Sequence, residues 1–253
     1  MVTPNFCGVG SAAHKYWVSD IKLTGYEEDS SYMYGQFTAY FTMLTPGGSS
    51  DPSEGKTFNY AADWDWGESK LGEGYWTDYN SQPITPHGAG DLELEPGQAV
   101  LLSTLGGDGE HLQMFVTAGE VITAETNVPL NDGEFTSVGN PYPVGVWVSD
   151  LAITGYEEDS SFMYGQFTAY FTILTPGGSS DPSEGKTFNY AADWDWGESK
   201  LGEGYWTDYN SQPITPHGAG DMQLPAGQGV LFSTLGGDGE HPQILIFPEL
   251  KLN

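Results

Sequence analysis

Apolar and polar residues alternate over short stretches of this chain, and turn-forming residues separate the stretches. Residues 17–24 alternate in this way, so an extended conformation places Ile21 and Leu23 on one face and Val18 on the other. Residues 32–44 form a longer β-forming run with the same period of two. Shorter strand candidates lie at residues 57–60, 74–79, 100–104, 120–124 and 244–247. No ten-residue stretch free of glycine and proline keeps a helical apolar stripe, so the pattern predicts an all-β fold.

The chain contains nearly the same sequence twice. Residues 17–113 and residues 147–243 align without a gap at an offset of 130, and 12 of the 97 aligned positions differ. Several differences exchange one apolar residue for another, which a packed core tolerates well. The repeat is much longer than a solenoid unit, so it predicts two self-contained domains, at residues 1–130 and residues 131–253. Many short strands with regular turns indicate that each domain is an antiparallel β-sandwich or a jelly-roll-like barrel.

The charge of the chain narrows the range of partners. The sequence has 35 acidic and 7 basic residues, which gives a formal net charge of −28. Nucleic-acid binding requires clustered lysine and arginine, and anionic membrane surfaces attract polybasic segments, so we expect neither partner. No apolar run approaches the ~20 residues of a membrane-spanning helix, and we expect no membrane insertion. The 14% of aromatic residues excludes a disordered acidic tail.

The sequence contains no motif that identifies an enzyme. Cys7 is the single cysteine, which excludes an intrachain disulfide and a zinc site made of cysteines. A Gly-x-Ser-x-Gly elbow, a phosphate-binding loop and a dinucleotide fingerprint are all absent from the sequence. Acidic residues are so abundant that a carboxylate pair for glycoside hydrolysis stays open as an alternative. We therefore predict a protein that is not an enzyme.

Each copy has two histidines in polar loops. They are His87 and His111 in the first copy, and His217 and His241 in the second. Pairing with a neighbouring carboxylate such as Asp91 would suit a transition metal or acid–base chemistry. The spacing matches no metal-binding motif, so we interpret the histidines as surface residues.

Residues 62–68 concentrate the aromatic and acidic side chains, and residues 192–198 repeat them. If residues 62–68 are extended, the two tryptophans share one face and the two aspartates share the other. Such a platform would stack on sugar rings while the carboxylates bind hydroxyl groups. Burial in the core is the competing interpretation, because tryptophan buries a large apolar area. The candidate ligand-binding residues are Trp64, Trp66, Trp76, Tyr79, Trp194, Trp196, Trp206 and Tyr209.

The same segments are candidate calcium sites, because calcium prefers oxygen ligands. The candidate ligands are Asp63, Asp65, Glu68, Asp193, Asp195 and Glu198. An EF-hand loop that begins at Asp63 is excluded, because Gly67 and Gly74 occupy positions that must supply side-chain ligands. The competing interpretation is a solvated acidic surface.

Two short motifs stand at the ends of the second copy. The motif Asn-Pro-Tyr-Pro occupies residues 140–143, and Pro-Ala-Gly-Gln-Gly occupies residues 225–229. With these motifs the second copy resembles a β-rich repeat module of large secreted and cell-surface proteins of bacteria, over most of residues 135–235. The first copy lacks the Asn-Pro-Tyr-Pro motif. The resemblance implies an extracellular or cell-surface location and a structural or adhesive role, without catalytic residues.

We therefore expect a non-enzymatic structural protein that acts by self-association or adhesion. Strand-like segments at both ends of the chain favour addition of a strand to a neighbouring copy, which would give filaments or arrays. A carbohydrate-binding module is one alternative, in which two copies add avidity. A calcium-stabilised structural domain is another. Residues 1–5 show no signal-peptide pattern, so the expected location rests on the resemblance.

Overall fold

The computed structural model describes most of the chain and shows an all-β protein, as predicted. It describes residues 6–10, 16–29, 32, 37–43, 56–104, 111, 113–116, 121–130, 135–162, 166–173, 187–238 and 240–251. All strand pairs in this part of the chain are antiparallel, and its only helices are short 3-10 helices. The turn signal at residues 131–133 and the loop at residues 105–110 lie outside the described residues.

The first unit, as we call strands β1–β11, contains a main sheet and three small sheets. Its described strands are β1 (Phe6–Gly10), β2 (Tyr16–Trp17), β3 (Lys22–Thr24), β4 (Phe37–Met43), β5 (Lys56–Ala62), β6 (Trp64–Asp65), β7 (Lys70–Leu71), β8 (Tyr75–Asp78), β9 (Glu93–Leu94), β10 (Ala99–Thr104) and β11 (Met114–Val116). The main sheet has the order β1-β10-β4-β5-β8. The pairs β2-β9, β3-β11 and β6-β7 form the small sheets, and a 3-10 helix (Val18–Asp20) follows β2.

The second unit, strands β12–β23, has an equivalent main sheet. Its described strands are β12 (Thr126–Pro129), β13 (Phe135–Gly139), β14 (Val146–Trp147), β15 (Ala152–Thr154), β16 (Phe167–Ile173), β17 (Thr187–Ala192), β18 (Trp194–Asp195), β19 (Lys200–Leu201), β20 (Tyr205–Asp208), β21 (Gln223–Leu224), β22 (Gly229–Thr234) and β23 (Ile244–Phe247). The main sheet has the order β13-β22-β16-β17-β20, and β12-β23-β15 form a three-stranded sheet. Two 3-10 helices, Val148–Asp150 and Ser160–Phe162, complete the unit.

The buried apolar side chains form two separate clusters, one in each unit. In the second unit, Phe167, Ala169 and Phe171 of β16 all point into the core, as the period of two predicts for the long β-forming run. The strand is shorter than predicted, because β4 begins at Phe37 and β16 at Phe167. A 3-10 helix stands where the second copy of the run begins.

Two further strand predictions are wrong. Residues 17–24 are not one strand, because the 3-10 helix Val18–Asp20 interrupts them. A 3-10 helix has three residues per turn, so Val18 and Ile21 face the same way, and both are buried together with Leu23. The strand expected at residues 120–124 is found later, at Thr126–Pro129.

Strand β12 lies before the predicted domain boundary between residues 130 and 131 but pairs with a strand that lies after it. It pairs with β23, with Val128 opposite Leu245. Val128 and Leu130 are buried in the cluster of the second unit. The strand that ends the predicted first domain therefore packs with the second unit. It forms its backbone hydrogen bonds with β23 and buries its apolar side chains there.

The two units contact each other where β1 and β10 of the first lie against β13 and β22 of the second. Ser137 donates its hydroxyl hydrogen to the carbonyl oxygen of Ala99 at 2.6 Å, and the Gly139 amide donates to the carbonyl oxygen of Gly97 at 2.8 Å. Gly97 has a φ of +82°, and a Cβ there would lie 2.4 Å from Val128 Cγ2. The contact is therefore close and includes buried polar groups, while each unit keeps its own apolar cluster.

Candidate functional site

Strands β6 and β7 form a tight hairpin that carries Trp66 at its turn. We call residues 64–71 the Trp66 hairpin and their counterpart, residues 194–201, the Trp196 hairpin. Asp65 Oδ1 accepts hydrogen bonds from the amides of Gly67 at 2.7 Å and Glu68 at 3.2 Å. This side-chain turn holds the backbone between the two short strands. Asp195 makes the same contacts in the Trp196 hairpin.

The two tryptophans of each hairpin meet edge to face. The ring centroids of Trp64 and Trp66 lie 6.1 Å apart with an interplanar angle of 71°, and those of Trp194 and Trp196 lie 6.2 Å apart. Trp64 is half-buried against the core of the first unit. Trp66 and Trp196 are each 72% exposed. Each hairpin thus presents one indole to solvent and uses the other as its support.

Trp76 and Trp206 do not belong to this platform, which corrects their assignment as ligand-binding residues. Both are buried, and the indole N–H of Trp76 donates to the carbonyl oxygen of Ile21 at 2.8 Å. The Trp206 indole donates to the carbonyl oxygen of Leu151 at the same distance. The core interpretation therefore holds for this pair, since each ring is enclosed and its polar atom is satisfied.

Tyr79 and Tyr209 are exposed but stand apart from the hairpins. Their exposed fractions are 73% and 74%. Tyr79 follows the last residue of β8, whereas Tyr75 at the first residue of β8 reaches Asp63 next to the Trp66 hairpin. Four residues of extended strand span about 13 Å, so Tyr79 lies at the far end of β8.

A groove of about 910 Å³ lies beside the Trp66 hairpin. Asp65, Glu68 and Lys70 of the hairpin line one side, and Tyr75 lines the groove as well. The second unit has two smaller cavities of about 600 Å³ and about 690 Å³ in the equivalent place, which share Tyr190. Binding sites for small molecules have volumes of roughly 300–1,000 Å³, so these grooves have a suitable size.

The floor of the groove is a pair of buried tyrosines. Tyr26 and Tyr60 pack edge to face at 6.0 Å, and burial is the main cause that raises the pKa of both hydroxyl groups. Gly74 closes over this pair, because a Cβ there would lie 2.2 Å from the Tyr60 ring. The floor is therefore rigid and uncharged at neutral pH.

The rim of the groove is rich in carboxylates. Tyr75 donates its hydroxyl hydrogen to Asp63 Oδ2 at 3.2 Å, and Lys70 Nζ lies 2.7 Å from Glu68 Oε2. Burial and the nearby Asp63 carboxylate raise the pKa of the Tyr75 hydroxyl. The sequence indicates Tyr75 as a member of the aromatic platform, and its position next to the buried Trp76 in a strand places it on the opposite, outer face.

The structure does not gather the predicted calcium ligands around one point. Asp63 accepts from Tyr75, Asp65 accepts from backbone amides, and Glu68 pairs with Lys70. Among the described residues, no group of three or more acidic, histidine or cysteine side chains lies close enough to hold a metal ion. Calcium binding by Asp63, Asp65 and Glu68, and by Asp193, Asp195 and Glu198, stays a prediction.

A repeated histidine cluster lies on the surface of each unit. His87 Nε2 lies 2.9 Å from Asp20 Oδ1, and the ring stacks on Trp17 at 5.5 Å. Asp91, the acidic partner considered from the sequence, instead accepts from the His87 amide at 2.8 Å and from the Ser19 hydroxyl at 2.7 Å. The imidazole and the hydroxyl thus contact different carboxylates, which is not the arrangement of a nucleophilic serine.

The second unit has the same cluster, with His217 against Asp150 at 2.8 Å and against Trp147 at 5.3 Å. The sequence did not reveal the pairing because its members lie 67 positions apart. Chain folding alone brings them together.

Comparisons with known proteins found no match for this chain among family models, curated proteins or solved structures. The resemblance of the second copy to a module of bacterial surface proteins accordingly stays a prediction. In the described part of the chain, no helix has the length and apolar character that crossing a bilayer requires.

Proposed function

We propose that this chain is a non-enzymatic adhesion protein of the bacterial cell surface or extracellular space, and that it binds polysaccharide through its two tryptophan hairpins. The observation that carries the proposal is the 72% exposure of Trp66 and of Trp196, at equivalent turns. An exposed indole offers a ligand a broad apolar face together with a polar N–H group. Contact with the half-buried indole of Trp64 or Trp194 restricts the orientation of the exposed ring that would meet the ligand.

The groove beside each hairpin supplies the polar half of such a site. Asp65 and Glu68, which flank Trp66 in the sequence, line the groove together with Glu27. Carboxylates accept strong hydrogen bonds from hydroxyl groups, so a hydroxyl-rich ligand suits this rim. The net charge of −28 repels anionic polymers. The ligand class we propose is therefore a neutral polysaccharide.

Two sites on one chain suit a repetitive ligand. When one hairpin is bound, the other searches the same polymer at a high effective concentration, which raises the apparent affinity by about 10²–10⁴ if both sites engage. A modest affinity at each hairpin then gives firm attachment. Residues 64–71 and 194–201 have the same sequence, so the two sites offer a polymer the same side chains.

The test is a binding screen of the full chain against insoluble neutral polysaccharides and a glycan array, with Trp66→Ala, Trp196→Ala and the double variant. We expect each single variant to lose most of the avidity and the double variant to lose binding, while each loss of an edge-to-face pair lowers the free energy of unfolding by only about 0.5–1.5 kcal/mol. The matched control is the pair Tyr79→Ala and Tyr209→Ala, which removes aromatic rings of similar exposure away from the hairpins. Binding that survives the double tryptophan variant, or that the control abolishes, contradicts the proposal.

Self-association is a second candidate function, and one specific observation favours it. Strand β11 of the first unit pairs with a single neighbour among the described strands, whereas its counterpart β23 pairs with two. Two chains could therefore pair at their β11 edges. Concentration-dependent dimerisation that slows exchange at Met114–Val116 would support this candidate, and a strictly monomeric chain would contradict it.

A further inference from the structure

The two units differ at one sheet edge. In the first unit, Phe115 of β11 lies opposite Leu23 of β3. In the second unit, Leu245 of β23 lies opposite Ile153 of β15, which is the same register displaced by 130 residues. Strand β23 also pairs with β12 on its other side. No described strand occupies that other side of β11.

The additional strand changes the burial of its neighbour. Leu245 is fully buried in the second unit, while the equivalent Phe115 is only half-buried. Met114 and Val116, on either side of Phe115, are 51% and 42% exposed. An edge strand with apolar side chains and open main-chain groups is a template for pairing with another segment.

The second unit also contains the residues that secure its additional strand. The Tyr142 hydroxyl lies 2.9 Å from the carbonyl oxygen of Ala124, just before β12, and 2.7 Å from that of Pro248, just after β23. Asn140 directs its side-chain amide at the carbonyl oxygens of Leu224 and Pro225. These two residues belong to the Asn-Pro-Tyr-Pro motif, which the first copy lacks. Tyr142 of the motif thus holds the chain beside β12, a strand without a counterpart among the described strands of the first unit.

We infer that the outer edge of β11 is an acceptor site for an extended peptide segment, which goes beyond the polysaccharide binding proposed above. The segment adds antiparallel to Met114–Val116 and completes a three-stranded sheet like β12-β23-β15. Phe115 becomes buried when the segment binds, as Leu245 is in the second unit.

The second unit shows the chemistry of the occupant. Its own strand, Thr126–Pro129, is uncharged and places Val128 opposite Leu245. The matching segment for β11 is therefore uncharged and carries an apolar β-branched residue opposite Phe115. An acidic segment is disfavoured by the net charge of the chain. A folded second copy cannot supply its β12, which is already paired with β23, and pairing between two β11 edges is the alternative that the test below distinguishes.

The test adds a synthetic peptide of residues 126–130, uncharged with acetylated and amidated ends, to the full chain and follows binding by NMR and amide hydrogen exchange. We expect one peptide per chain and exchange at Phe115 and Val116 that is slower by about tenfold or more. A Val128→Asp peptide should bind at least about tenfold more weakly, since a charge would enter an apolar contact. In the chain, Met114→Lys with Val116→Lys should weaken binding, because charged edges resist pairing. The matched control, Val121→Lys, adds a charge at another exposed apolar position and should bind normally.

Three results would overturn the inference. They are no binding at millimolar peptide, protection that appears at residues 244–247 in place of residues 114–116, and concentration-dependent dimerisation that protects Phe115 without peptide. The last would identify a second copy as the occupant. Each readout is independent of polysaccharide binding, so failure here leaves the tryptophan hairpins untouched.

Discussion

The first and second units have nearly the same sequence over 97 aligned residues, yet one small sheet has two described strands in the first unit and three in the second. The third strand, β12, lies outside the duplicated block. The duplicated block of sequence and the packed unit therefore begin and end at different residues. Residues outside a repeat can complete one copy and leave the other with an open edge.

The largest expected effect is the difference in unfolding free energy between an alanine variant at Leu245 and one at its counterpart Phe115. Leu245 is fully buried between two neighbouring strands, so Leu245→Ala should lower the free energy of unfolding by about 2–5 kcal/mol. Phe115→Ala removes a larger side chain but a half-buried one, and we expect a loss of about 1–2 kcal/mol. Urea unfolding of both variants measures the difference. Equal losses would show that β12 adds nothing to burial at this edge.

A smaller effect should follow from the Asn-Pro-Tyr-Pro motif. Asn140 is fully buried, and its side chain reaches three carbonyl oxygens and accepts a hydrogen bond from the Tyr142 amide at 3.0 Å. Asn140→Ala leaves these groups unsatisfied and should destabilise the second unit by about 1–3 kcal/mol. Hydrogen exchange should accelerate in β12 and β23 and stay unchanged in β11.

The matched control is Asn127→Ala, at an exposed position of β12 itself. It should leave exchange in β23 nearly unchanged. Acceleration that spreads equally to both units would contradict a local role for the motif.

The smallest expected effect is a change in how the stability of the fold depends on pH. Asp238 accepts a hydrogen bond from the His241 ring at 2.9 Å, and this bond is the main cause that raises the pKa of His241 above its usual 6.5. A pKa that is higher in the folded state adds stability at pH values below 6.5, and this stability is lost as pH rises through the raised pKa. His241→Asn should remove that part of the pH dependence.

Melting curves of the wild type and of His241→Asn at pH 5.5 and pH 8 provide the measurement. The effect should be slight, because His241 is on the surface and salt screens the pair. A difference between the two proteins that grows toward pH 8 would have the wrong sign.

The all-β fold could be predicted from the sequence because its signals are local. A period of two identifies β16, where Phe167, Ala169 and Phe171 are buried as expected. A three-residue 3-10 helix is too short for a periodicity signal, which is why Val18 was placed on the wrong face. The pairing of β12 with β23 joins residues more than a hundred positions apart, and no local pattern reports it.

The candidate site could be predicted only in part. The sequence indicated the Trp64–Trp66 pair, but the exposure of each ring depends on the turn that Asp65 stabilises. Trp76 looks equally suitable in the sequence, yet its place on the inner face of β8 buries it. Composition alone cannot separate the two cases, because both tryptophans stand among acidic and aromatic neighbours.

The position of β12 has a practical consequence for anyone who wants to express the second unit by itself. A clone that starts after residue 130 omits Thr126–Pro129, so the edge of β23 that normally pairs with this strand is exposed. The amide of Leu250 also donates to the carbonyl oxygen of Thr123 at 2.8 Å, so the chain just before β12 helps to hold the C-terminal segment. A fragment that begins at or before Val121 retains both contacts, whereas the shorter fragment, which begins after residue 130, should aggregate.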